Sequence, residues 1–253
     1  MTSVMQTPWD TAPNQLYKFM NREEAGYYAG GSPDGIHVTD APNNPVFTGG
    51  SDVGQFCWDP HTQRYLGYVK NNSYVNGLKR RSVALTTTTN IATWPTESLI
   101  LEPDTIDDRW VPAGTVQRTH LYGLSAFPYE SMYIGFLWIF RATDAEGYYV
   151  GPCFVELVSS HDGVHWTREE GDRPPLLPLG AEGSWDDGMV FTARAPIVEG
   201  DTIKLWYGGL DQVHGFPLTQ TTGSIGLATL RKDGFASLDA GTAVGTVTTK
   251  SLS

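Results

Sequence analysis

Short runs rich in Val, Ile, Tyr, Phe and Trp alternate along the whole chain with clusters of Gly, Pro, Asn and Asp. No stretch carries the three-to-four-residue apolar period of a long amphipathic helix, and every run is bounded by turn chemistry, so the pattern predicts strand after strand. A hairpin repeat stands out. Trp9-Asp10 precedes Leu16 to Phe19, Trp58-Asp59-Pro60 precedes Tyr65 to Tyr68, Phe127 to Glu130 precedes Tyr133 to Phe136, and Pro196 to Asp201 precedes Ile203 to Tyr207. A second repeat follows one strand later: Ser32-Pro33-Asp34-Gly35-Ile36-His37, Ser160 to Thr167, Arg231 to Phe235, and a degenerate copy at Thr89 to Trp94.

A repeated module of four short strands is how propeller blades appear in sequence. The chain therefore reads as all-β, a single propeller domain over 1–253 with four countable blades at about 3–48, 50–104, 117–180 and 184–240. The β-branched run Val244 to Thr249, within 241–253, suits an edge strand that closes the ring. The Asp-Gly copies could form a ligand loop, but Asp and Gly are the residues of tight turns, and the turn is the favoured reading.

Composition narrows this picture. With 253 residues, 40% hydrophobic and 18% charged, the chain has material for a real core. Its 17 basic and 28 acidic residues leave a net charge of −11, which repels phosphate backbones and argues against nucleic acid. The apolar stretch Met132 to Phe140 is far shorter than the ~20 residues of a membrane helix, and no leader pattern is seen, so a soluble chain of open localisation is expected. Cys57 and Cys153 match no zinc or disulfide spacing and read as buried thiols.

The Asp-Gly-Val-His-Trp-Thr turn at 162–167, the Trp58-Asp59-Pro60 hairpin and Gly183-Ser184-Trp185-Asp186-Asp187-Gly188-Met189-Val190 together resemble furanosidase-type propellers, the glycoside hydrolases related to arabinanases, β-xylosidases and invertases. The resemblance covers most of the chain as a blade pattern. It implies five blades with three acidic residues around one sugar ring. Four countable blades therefore imply a five-bladed-like propeller lacking one blade, a fragment, or one completed by oligomerisation, since an open ring leaves an edge strand seeking a partner.

In a propeller the innermost strands run along the axis, so residues entering them converge on one pocket. This places Asp52, His120 and Asp186 or Asp187 at the funnel. Invertase-like enzymes hold a transition-state-stabilising Asp at a similar offset ahead of the same hairpin, which the resemblance assigns to Asp52; the competing reading is a turn cap. Adjacent strand residues face opposite ways, so one of Asp186 and Asp187 looks inward. Asp187 is chosen because Gly188 follows it and Trp185 offers a platform for a sugar ring. Asp52 and Asp187 would be the two carboxylates that glycoside hydrolysis requires.

His120 and His214 could bind substrate hydroxyls or help hold a cation such as a structural calcium, although a lone His is more often structural and no metal site is assigned. Arg81 and Arg194 would keep the aspartates ionised, and Trp58 adds a ring for sugar contact. Glu130 takes the hairpin position of Asp59 and belongs to a turn. No other cofactor is implied. The expected function is a carbohydrate-directed glycoside hydrolase; the alternative is a non-catalytic carbohydrate-binding or assembly propeller.

Overall fold

The computed structural model describes residues 2–10, 12, 15–169, 171–237, 242 and 244–248. The architecture is all-β, with no α-helix among the described residues. The first sheet is a meander of β1 (Thr2–Gln6), β2 (Tyr17–Glu23), β3 (Gly26–Ser32) and β4 (Thr39–Asp40). The second repeats the plan with β5 (Gly54–Asp59), β6 (Arg64–Val75), β7 (Leu78–Thr88) and β8 (Ser98–Leu101). β9 (Arg118–Tyr129), β10 (Met132–Ala142), β11 (Cys153–Ser160) and β12 (Trp166–Arg168) form a third antiparallel meander. β13 (Met189–Thr192), β14 (Ile197–Glu199), β15 (Thr202–Leu210) and β16 (Gly223–Arg231) follow, with β15 at the centre. A single parallel pairing, Cys153 with Met189, joins these last two groups into one eight-stranded sheet.

Burial patterns explain the strand sequences. Tyr133 to Phe140 of β10 and Tyr65 to Lys70 of β6 are buried without interruption, as strands covered on both faces must be. β16 alternates half-buried and exposed residues because only one of its faces is covered. One core, built around Tyr68, Phe136, Trp138 and Phe140, spans the second sheet and the long sheet. Another, around Met5, Met20, Tyr27, Phe56 and Trp94, spans the first and second sheets. Both cysteines are buried and free.

The Asp-Gly repeats are turns with one chemistry. Asp34 Oδ1 accepts the N–H groups of Ile36 and His37, and Asp162 Oδ1 accepts those of Val164 and His165. In each copy a serine two residues earlier, Ser32 or Ser160, accepts the glycine N–H. The turn reading thus accounts for both. The closing strand expected over 241–253 falls in part outside the described residues. Residues 242 and 244–248 are described and carry no strand. Phe235, just after β16, packs on Tyr129 and Phe136 of the third meander.

Candidate active site

Asp52 lies in the loop that leads into β5, and its side chain remains 66% exposed. The buried ammonium of Lys70, on β6, reaches Asp52 Oδ1 at 2.7 Å. Burial pushes the Asp52 pKa up, but the hydrogen bond and charge of Lys70 outweigh it and hold the carboxyl at about 2. Asp52 is therefore ionised at neutral pH. Lys70 Nζ also stands 4.2 Å from the centre of the Tyr122 ring on β9. Tyr122 Oη in turn meets His214 Nε2 at 3.0 Å, and His214 Nδ1 meets the Tyr149 carbonyl at 2.6 Å. A carbonyl only accepts, so Nδ1 carries the proton and Nε2 accepts from the Tyr122 hydroxyl. Burial lowers the His214 pKa, which suits this neutral form.

The Asp52 loop is fixed from behind by Glu97, whose Oε1 accepts from the Gly50 N–H at 2.8 Å and from Asn71 Nδ2 at 2.9 Å. Gly50 is left-handed, with φ 67°, and a Cβ there would fall 2.8 Å from Val69. Only glycine fits that turn.

The second candidate carboxylates precede β13. Asp186 and Asp187 lie in the turn before β13 rather than on an extended strand, and their side chains take different partners. Asp187 Oδ2 accepts the Gly183 N–H at 2.6 Å and so closes its own loop. Asp186 accepts from Ser184 Oγ at 2.9 Å and from the Tyr207 hydroxyl at 3.0 Å. Trp185 stacks on the Tyr207 ring with centroids 5.6 Å apart. Tyr207, Phe191, Trp138, Gln55, Thr2 and Arg194 help to line a cavity of about 380 Å³. The Phe191 ring touches Tyr122, so the cavity adjoins the Asp52 cluster.

The structure brings Asp52, His214 and, across Tyr122, Arg81 to one neighbourhood, with the Arg81 guanidinium 5.6 Å from the Tyr122 ring centre. Arg81 does not hold a carboxylate; it donates to the Tyr148 carbonyl at 2.7 Å and lies 4.1 Å from the Tyr148 ring centre. Lys70, which the sequence did not single out, fills the part expected of Arg81. Arg194 likewise binds no aspartate among the described residues and donates Nε to the Val4 carbonyl. His120 is fully buried with both ring nitrogens engaged, Nδ1 accepting the Arg81 N–H and Nε2 facing the Gly147 carbonyl, which leaves no atom for a substrate or a cation. Trp58 sits at the far end of β5 from Asp52, packed between Trp9 and Tyr65. Glu130 occupies the β9–β10 turn with φ 50°. Among the described residues no three His, Cys, Asp or Glu side chains gather as a metal site.

The loop from Asp104 to Arg118 carries a buried ionic knot. Asp107 accepts two bonds from Arg168, at 2.6 and 2.7 Å, and one from Arg173 at 3.0 Å. Arg168 also binds Glu156 at 2.6 Å, and Arg80 grips Asp108 with both terminal nitrogens at 2.6 and 2.9 Å. These bonds strap the loop to β7, β11 and β12.

No known family model matches the sequence, and no curated protein matches it. Solved structures do. An N-acetylgalactosamine deacetylase from F. plautii, in complex with blood group B trisaccharide, superposes with TM-score 0.57 at 14% identity over 87% of this chain and 69% of that one. A thermostable family-43 glycoside hydrolase gives 0.56 at 11% identity over 90% and 74%. A β-1,2-mannobiose phosphorylase from Listeria innocua gives 0.51 at 17% identity over 81% and 49%. The fold is thus that of the furanosidase-type propellers which the sequence motifs resemble.

Proposed function

We propose that the chain is a carbohydrate-active enzyme that cleaves glycosidic bonds at the loop ends of β5, β9 and β13. The observation that carries this reading is Asp52, an exposed carboxylate kept ionised by a buried lysine beside an aromatic and imidazole floor. Such a group can stabilise positive charge at a sugar carbon or activate a nucleophile there. The Asp186–Asp187 pair, next to the Trp185 and Tyr207 rings, supplies the second carboxyl, with Trp185 as platform for a sugar face. Tyr122, His214 and Glu97 position the first. Structures of similar fold that act on or bind carbohydrate support the class of ligand.

The test is a panel of aryl glycosides and oligosaccharides assayed with wild type, Asp52→Asn, Asp186→Asn and Asp187→Asn. Loss of turnover of at least about 100-fold in Asp52→Asn and in one of the other two, with unchanged circular dichroism, is expected for paired carboxylates. Turnover that survives Asp52→Asn refutes the assignment. A non-catalytic carbohydrate-binding role is favoured by one observation, the closure of Asp187 onto Gly183, and would show as sugar binding without turnover in the wild type.

A further inference from the structure

The cavity beside the Asp52 cluster draws on β1, β5, β10, β13, β15 and β16, and Arg194 is the one charged side chain in its wall. Its volume of about 380 Å³ falls in the usual ~300–1,000 Å³ of small-molecule sites. The neutral polar groups around it are spoken for. The Thr2 hydroxyl donates to Asn21, the Thr192 hydroxyl accepts from Trp138 Nε1, and the Tyr207 hydroxyl donates to Asp186.

Arg194 is different. A guanidinium has five N–H donors and stays charged. Here Nε is used by the Val4 carbonyl at 3.2 Å, and no other acceptor among the described residues meets it. Arg80, Arg168 and Arg173 each close on carboxylates at 2.6–3.0 Å. Among the described residues Arg194 meets no carboxylate, in a chain with 28 acidic residues. The side chain is half-buried, and burial pulls its pKa down. A half-buried cation without a counter-charge gains from a ligand that supplies one.

We propose that this cavity takes the carboxylate of an acidic sugar, a uronate held by the Arg194 guanidinium with its ring against Trp206. The planar fork of Arg matches a carboxylate through two parallel bonds. Trp206 is a half-exposed indole in the same wall, and an indole is the surface on which the apolar face of a sugar settles. The assignment rests on the carbohydrate reading above and narrows its substrate class to acidic glycans.

Titration calorimetry and tryptophan fluorescence with D-glucuronate, D-galacturonate, D-glucose, D-galactose and inorganic phosphate test it. At least one uronate binds about tenfold or more tightly than its neutral hexose, as one charge-assisted pair allows. That preference weakens with added NaCl, disappears in Arg194→Gln and partly returns in Arg194→Lys. Equal binding of uronate and hexose, or a preference unaffected by both salt and Arg194→Gln, overturns the proposal. Phosphate bound through Arg194 in place of both uronates overturns the acidic-sugar source. The salt dependence is read on the wild type, so the test stands even if Arg194→Gln fails to fold. Turnover assays on the wild type separate the two readings. Arg194-dependent uronate binding without any turnover in the wild type refutes the enzyme alone, and turnover of neutral glycosides without uronate preference refutes this site alone.

Discussion

His120 makes the fold sensitive to acid in a calculable way. Its imidazole is fully buried, bonded at both nitrogens and surrounded by the Phe140 and Tyr148 rings. Burial carries its pKa from the ordinary 6.5 to about 3; the bond to Gly147 opposes the drop, and the charges of Arg81, Arg118 and Arg80 add to it. Between those two values the unfolded chain binds a proton that the folded chain refuses, so stability falls as pH drops through 6.5 and keeps falling toward 3. At ~1.36 kcal/mol per pH unit, His120 alone removes ~2 kcal/mol between pH 7 and pH 5 and ~5 kcal/mol over the full span. His120→Gln keeps a donor and an acceptor but cannot take up a proton. Urea unfolding of both proteins at pH 7, 6 and 5, extrapolated to water, checks the sum. The wild type should lose ~2 kcal/mol more than the variant by pH 5. Parallel slopes for the two proteins would show that the imidazole is not held neutral. An NMR titration of the wild-type imidazoles gives the same answer without the variant, since the His120 resonances should not move down to pH 5.

Two further substitutions probe the frame around the site. Asp107→Asn removes a carboxylate that is buried between Arg168 and Arg173, and should cost about 3–5 kcal/mol in thermal or urea unfolding, as breaking a buried pair does; a loss below about 1 kcal/mol would mean that water replaces the charge. Gly188→Ala places a Cβ against the Gln212 backbone, which cannot swing aside, so the folded protein should be lost or its Tm sharply lowered. An unchanged Tm would show that the 212 segment yields.

The hairpins and Asp-Gly turns were legible because turn chemistry is local. Asp59 closes its hairpin on His61 and Thr62, and Asp34 and Asp162 make the same bonds in two places, all within four residues. Asp52 was singled out by an offset to the hairpin that resembles the invertase-like enzymes, and its exposure agrees with a group open to a ligand. Its partner was not, because Lys70 lies on the next strand and becomes its counter-ion only through the β5–β6 register, which pairs Gly54 with Val69. Glu97 and the Asp107 knot were equally hidden, since they join segments 26 to 66 residues apart. His120 illustrates the opposite error. A histidine at the head of a central strand suggests chemistry, but the long loop that returns at Gly147 covers its outer nitrogen.

The Cys153–Met189 pairing, with the Cys153 N–H to Gly188 carbonyl bond at 3.4 Å beside it, is a seam in an otherwise continuous ladder. Gly151 bridges to His214 immediately next to it, while the Trp185–Gly188 loop forms its other lip. Met189, Val190 and Leu205 nevertheless share one buried core with Phe136, Trp138 and Val155, so side-chain packing rather than the backbone ladder carries the union of the third and fourth strand groups.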